Sequence, residues 1–85
     1  MKIKDIRYAN TNETRTDGRY PLRIGSNVDF YFPPEVGGPA LLQYITDNQD
    51  NPKEGLLRTS TVTDIVETDK EIYLETRNSV YVFER

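Results

Sequence analysis

Arg58-Thr59-Ser60 sets a guanidinium beside two hydroxyls, and Thr76-Arg77-Asn78-Ser79 repeats that chemistry across a turn. Arginine offers planar, paired donors that match phosphate or carboxylate, and hydroxyls and turn amides complete such a site. If neighbouring strands bring the two groups together, they make an anion or nucleotide pocket, with Tyr81, Tyr73 or Tyr31 able to stack on a base. The expected ligand-binding set is Arg58, Thr59, Ser60, Arg77, Asn78 and Tyr81. Each member also has an ordinary structural use. Thr59, Thr61 and Thr76 suit a strand, Asn78 and Ser79 suit a turn, and Arg77 would pair with a carboxylate such as Glu75.

Other chemistries are closed to this chain. It has no cysteine and no histidine. Disulfides, Cys/His zinc sites, a histidine base and a cysteine nucleophile are therefore excluded. Asp47, Gln49 and Asn51 have calcium-loop spacing, but Pro52 stands where such a loop needs glycine and Arg58 where it needs glutamate. Paired carboxylates occur at Asp64 with Glu75 and at Glu67 with Glu71, yet exposed pairs on a hairpin are commonplace. The chain reads as a binder without cofactor or metal, not an enzyme. No apolar run approaches membrane-spanning length, and Met1-Lys2-Ile3-Lys4-Asp5 lacks the apolar core of a signal peptide, so the expected setting is the cytoplasm.

The elements that must hold these residues are strands. Eighty-five residues allow one domain. The C-terminal stretch from Leu56 to Arg85 reads as three consecutive strands: about Leu56–Glu67, Glu71–Thr76 and Val80–Glu84. Thr68-Asp69-Lys70 and Arg77-Asn78-Ser79 connect them. Val62 and Ile65 cannot share one face of a regular strand, which predicts a bulge or bend around Thr63–Asp64. Upstream, 2–8 reads as an edge strand. Asp17-Gly18 reads as a hairpin turn leading into a strand over Arg19–Ile24 that Pro21 restricts to an edge or a strand start. Asn27–Phe32 alternates cleanly, which places Phe30 and Phe32 in the core. Residues 33–39 form a Pro/Gly loop. Ala40–Thr46 is either a short strand or a helical turn, and context favours the strand. The fold class is all-β: a small, SH3-like, partly open barrel over 25–85, with residues 1–24 as an N-terminal hairpin extension.

Charge and composition constrain the partner. The net charge is −3, but residues 1–24 carry six basic and three acidic side chains, while 25–55 and 56–85 are net acidic. A sequence pI near 4.8 argues against nucleic acid, although the basic front segment keeps a nucleic-acid-binding barrel as an alternative. A small core and six tyrosines suggest that a second copy would add stability, so a homo-oligomer is expected.

Thr59, Ser60 and Val62, followed after a strand by Thr76, Asn78, Ser79 and Tyr81, form a Thr-Ser-x-Val … Thr-x-Asn-Ser-x-Tyr pattern. It resembles the tails of many small phage and prophage proteins of unassigned function. Gly25-Ser26-Asn27-Val28-Asp29-Phe30 is similar to the start of the same pattern, and the resemblance covers about half the chain. It implies a protein that acts without catalysis, as an anti-defence factor or inhibitor that occludes a host protein. The alternative is a sponge for a nucleotide signal, such as a cyclic nucleotide or a cyclic ADP-ribose derivative, held by the Arg/Thr/Asn pocket.

Overall fold

Alternation with period 2 puts Ala40, Leu42 and Tyr44 on one side of their strand, and Tyr81 and Phe83 on one side of theirs. Strands patterned this way bury a face only by curling round a shared interior. A computed structural model describes residues 1–85. Its strands are β1 (Lys2–Tyr8), β2 (Asn27–Phe30), β3 (Pro39–Thr46), β4 (Leu56–Glu67), β5 (Glu71–Thr76) and β6 (Ser79–Glu84), with one helical turn, α1 (Tyr20–Arg23). Neighbours pair antiparallel in chain order, and β6 returns to β1, closing a barrel. Twelve buried residues fill the interior, contributed by every strand, and Phe30 meets Phe83 edge-on at 5.5 Å.

β4 serves two neighbours. Its first half pairs with β3 and its second with β5, and the register shifts between Val62 and Asp64, where the spacing of Val62 and Ile65 predicts a bend. The loop after β2 braces this corner. Gly37 N–H donates to the Val62 carbonyl, and Val62 N–H donates to the Gly38 carbonyl, each at 2.9 Å.

Residues 1–24 differ from the expected hairpin extension. β1 is not an outlying edge but part of the wall, paired with β6 from Lys2 to Tyr8. Arg19–Ile24 is not a strand but contains α1. Proline fixes a backbone angle suited to a first helical turn, and Pro21 sits there. The apolar contacts follow helical spacing: Tyr20 and Ile24 pack on the core while Leu22 is exposed. Phe32 also departs from expectation and lies outside the core, because β2 ends at Phe30 before Pro33-Pro34.

The thinnest part of the wall is the β1–β2 seam, where Lys2 opposite Asn27 is the one pair in register. Backbone bonds outside the strands reinforce it: Ile3 N–H to the Ser26 carbonyl at 2.9 Å and Gly25 N–H to the Ile3 carbonyl at 2.7 Å. Gly25 has φ +95°, and a Cβ there would meet the Cβ of Asn48 at 3.3 Å. Gly25→Ala should therefore cost about 1–3 kcal/mol in urea unfolding. Gly38→Ala, where a Cβ meets nothing and φ is ordinary, should stay within ~0.5 kcal/mol. Equal effects would refute the role given to the seam.

Candidate functional site

The long loop between β1 and α1 folds back on β1. Tyr8 N–H donates to the Glu13 carbonyl at 2.8 Å, and Arg15 N–H donates to the Ile6 carbonyl at 2.7 Å. Asn12 takes the left-handed conformation, φ +62°, that asparagine tolerates. This return brings the Arg15 side chain to the end of the barrel, where it is 13% exposed. Its Nε and Nη2 donate to the two Asp17 carboxylate oxygens at 3.0 and 2.7 Å. Its Nη1 donates to the Asn78 carbonyl at 3.0 Å and to Ser79 Oγ at 2.9 Å. The guanidinium carbon also lies 4.0 Å from the Tyr20 ring centre and 4.9 Å from that of Tyr8. Arg15 thus joins the loop, α1 and the β5–β6 turn. The guanidinium in turn holds the Asp17 carboxyl down at about 2.

The expected binding residues divide by position. Thr59 is buried and structural: its Oγ1 accepts from Ala40 N–H at 2.9 Å and donates to the Ser60 carbonyl at 2.7 Å. Ser60 is half-buried beside it. Tyr81 lies in the core, stacked on Phe83 at 6.2 Å, and cannot receive a base. Burial pushes its phenol up to about 12. Arg58 is exposed, opposite Leu41 of β3, and does not line a cavity with Arg77. Arg77 and Asn78 do border a cavity, of about 370 Å³, together with Tyr8, Asn10, Arg15 and Tyr20. Arg77 makes no ion pair, with Glu75 or any other carboxylate. The turn that carries it is shaped by Thr76, whose Oγ1 accepts from Ser79 N–H at 3.1 Å and donates to the Ser79 carbonyl at 3.0 Å.

No local motif marks Arg15, Tyr8, Tyr20 and Asn10 as neighbours of this turn. Their one sequence signal is the basic excess of residues 1–24. Arg15, Arg19 and Arg23 of that segment lie at this end, whereas Lys2 and Lys4 lie towards the other, beside Glu84 and Glu71. Arg23 lies 5.0 Å from the Tyr20 ring centre. Arg19 and Arg23 border a second depression with Lys53, Glu54 and the exposed Leu22 and Leu56. Lys53 Nζ sits 4.0 Å from the centre of the Tyr44 ring that floors it.

The opposite character marks the outer face of the C-terminal strands. Asp64 of β4 stands directly across from Glu75 of β5, and Glu71 across from Glu84 of β6. Glu71 is neutralised by Lys4 Nζ at 2.6 Å and accepts from the Tyr73 hydroxyl at 2.6 Å, contacts that hold its carboxyl below the usual range. Asp64 and Glu75 have no cationic partner. No cluster of three or more acidic side chains is placed to hold a metal ion, and no helix is long and apolar enough to cross a membrane. Comparison with protein-family models, curated proteins and solved structures finds no match to this chain.

Two outcomes test this geometry. Arg15→Ala removes two hydrogen bonds to the turn and the ring stacking, which should lower stability by about 2 kcal/mol in urea unfolding. In the same variant the Asp17 carboxyl should titrate by NMR in the ordinary aspartate range instead of at about 2. Tyr81 predicts alkaline lability. Its phenol holds its proton more tightly in the folded chain, so that stabilisation is complete below the free-tyrosine value of 10 and fades as the pH rises towards about 12. Tyr81→Phe should flatten the fall in stability over that window.

Proposed function

We propose that this protein acts by binding and not by catalysis, and that it occludes a basic protein partner through the outer face of β4 and β5. The observation that carries this reading is Asp64 directly opposite Glu75, both exposed and both without a cation. Like charges directly opposite one another in a sheet are destabilising, and a single lysine at either position would relieve the repulsion. A partner that brings its own lysine or arginine turns the same pair into an attraction, which speeds encounter and rejects acidic competitors. On the same outer face, Val66 is half exposed and lies opposite Tyr73, so an apolar and aromatic contact is available beside the charges.

The resemblance to small phage and prophage proteins fits the same reading, since it implies action without catalysis, by occluding a host protein or by trapping a nucleotide signal. The SH3-like character of the barrel belongs to this proposal too. It rests on the tight turn at Arg77-Asn78 that precedes the last strand.

The test is charge reversal. Glu75→Lys alone should raise stability by about 0.5 kcal/mol by replacing a cross-strand repulsion with an attraction. Immobilised wild-type protein should retain a basic protein from host lysate at low salt and release it at high salt, and the Asp64→Lys/Glu75→Lys variant should retain none. Capture that is indifferent to the reversal would overturn the assignment of this face.

A further inference from the structure

The cavity at the Arg77 turn is distinct from the acidic face and has different chemistry. The chain carries fourteen acidic side chains, yet none lines this cavity. The one uncommitted charged group on its lining is a donor, Arg77, and the asparagines add further N–H donors beside their amide oxygens. Arg77 is exposed, and its guanidinium makes neither an ion pair nor a hydrogen bond within the protein. The side-chain amides of Asn10 and Asn78 are likewise unpartnered, as are the backbone N–H groups of the same two residues. Arg15 contributes little net charge and little new bonding, because Asp17 neutralises it and four of its five N–H groups are committed to Asp17, Asn78 and Ser79.

We infer that this cavity is a binding site for the phosphate group of a small phosphate monoester. Three features specify that ligand. The Arg77 guanidinium has no carboxylate partner and favours an anion, whereas the charge of Arg15 is already matched by Asp17. Amide and guanidinium donors spread around a concave wall suit a tetrahedral oxyanion with several acceptor oxygens. The volume of about 370 Å³ exceeds what a free phosphate fills and falls in the range of small-molecule sites, and Tyr8 and Tyr20 supply a wall for the rest of the molecule. Arg15 acts as a positioning residue here: it fixes the Asn78 backbone and the Tyr20 ring, and so the spacing of the donors.

The site is independent of the proposed protein-binding face and can fail without it. The experiment is isothermal titration of the full chain with adenosine monophosphate, inorganic phosphate and adenosine, read beside amide shifts of residues 8–10 and 77–79. Adenosine monophosphate should bind saturably, inorganic phosphate should compete with it, and adenosine should give no heat. Arg77→Gln keeps the turn backbone and its N–H to the Thr61 carbonyl. It should weaken adenosine monophosphate by at least ~10-fold with an unchanged fold by circular dichroism. The Asp64→Lys/Glu75→Lys variant, which adds positive charge near the turn, should bind adenosine monophosphate no more weakly than wild type. No heat with either phosphate compound, equal binding of adenosine, or an unchanged affinity in Arg77→Gln would overturn the inference.

Discussion

One guanidinium governs the architecture of the end of the barrel where the β1–α1 loop meets the β5–β6 turn. The segment between β1 and α1 is long, polar and mostly exposed, so it has almost no apolar surface with which to order itself. Fixing a loop of that length costs conformational entropy that hydrophobic burial does not offset here. Arg15 supplies the compensation through geometry. Its planar fork satisfies a carboxylate two residues on, and its remaining edge reaches a turn 63 residues away in sequence. A lysine has neither the fork nor the flat face that stacks on Tyr20, so the ammonium could not hold the same set of partners. The β5–β6 turn gains in return, since the carbonyl of Asn78 and the hydroxyl of Ser79 receive charged donors that water would otherwise provide.

Some charges of the molecule pair within the fold and others do not. Lys4 with Glu71, Arg7 with Asp5, Arg15 with Asp17 and Arg85 with Glu67 neutralise one another. Arg19, Arg23, Lys53 and Arg77 form no ion pair around the α1 end, where Glu54 is the one carboxylate on the lining of either depression. Asp64 and Glu75 remain without cations on the β4–β5 face. Redistribution of a few side chains would let these charges pair within the fold, at little geometric cost on so small a surface. The unpaired Arg77 at one end and the unpaired Asp64 and Glu75 on the β4–β5 face are what support a reading in terms of two recognition surfaces, one for an anion and one for a basic protein.

Much of the fold is legible in the sequence because strand alternation is a local property. Val28, Leu42, Leu74 and Phe83 announce their inward direction within four or five residues of context, and the slip between Val62 and Ile65 announces the bend. What escapes is set by tertiary partners. Tyr20, Leu22 and Ile24 alternate like a strand, but nothing is available to pair with them on that edge, and Pro21 is at least as comfortable in a helical turn. β1 reads as an edge because its lysines read as edge protection; the return of β6 at the far end of the chain gives it the long partner that the short seam with β2 does not.

The expected site is only half legible for a reason that period 2 itself supplies. Three consecutive strand residues such as Arg58, Thr59 and Ser60 cannot face one ligand, because the middle one points to the opposite side of the sheet. In a barrel this narrow the inward direction leads into packed side chains, so Thr59 and Tyr81 are consumed by the core. Turn residues escape that constraint. Arg77 and Asn78 sit where the backbone reverses, and adjacent side chains can point to the same region of space. A second segment must still arrive to complete a concave surface. Here it is the loop led by Asn10 and Arg15, whose placement depends on contacts far away in sequence. Recognition chemistry in a barrel of this size therefore collects at its ends or on its outer face, and a site sought along a single strand will be missed.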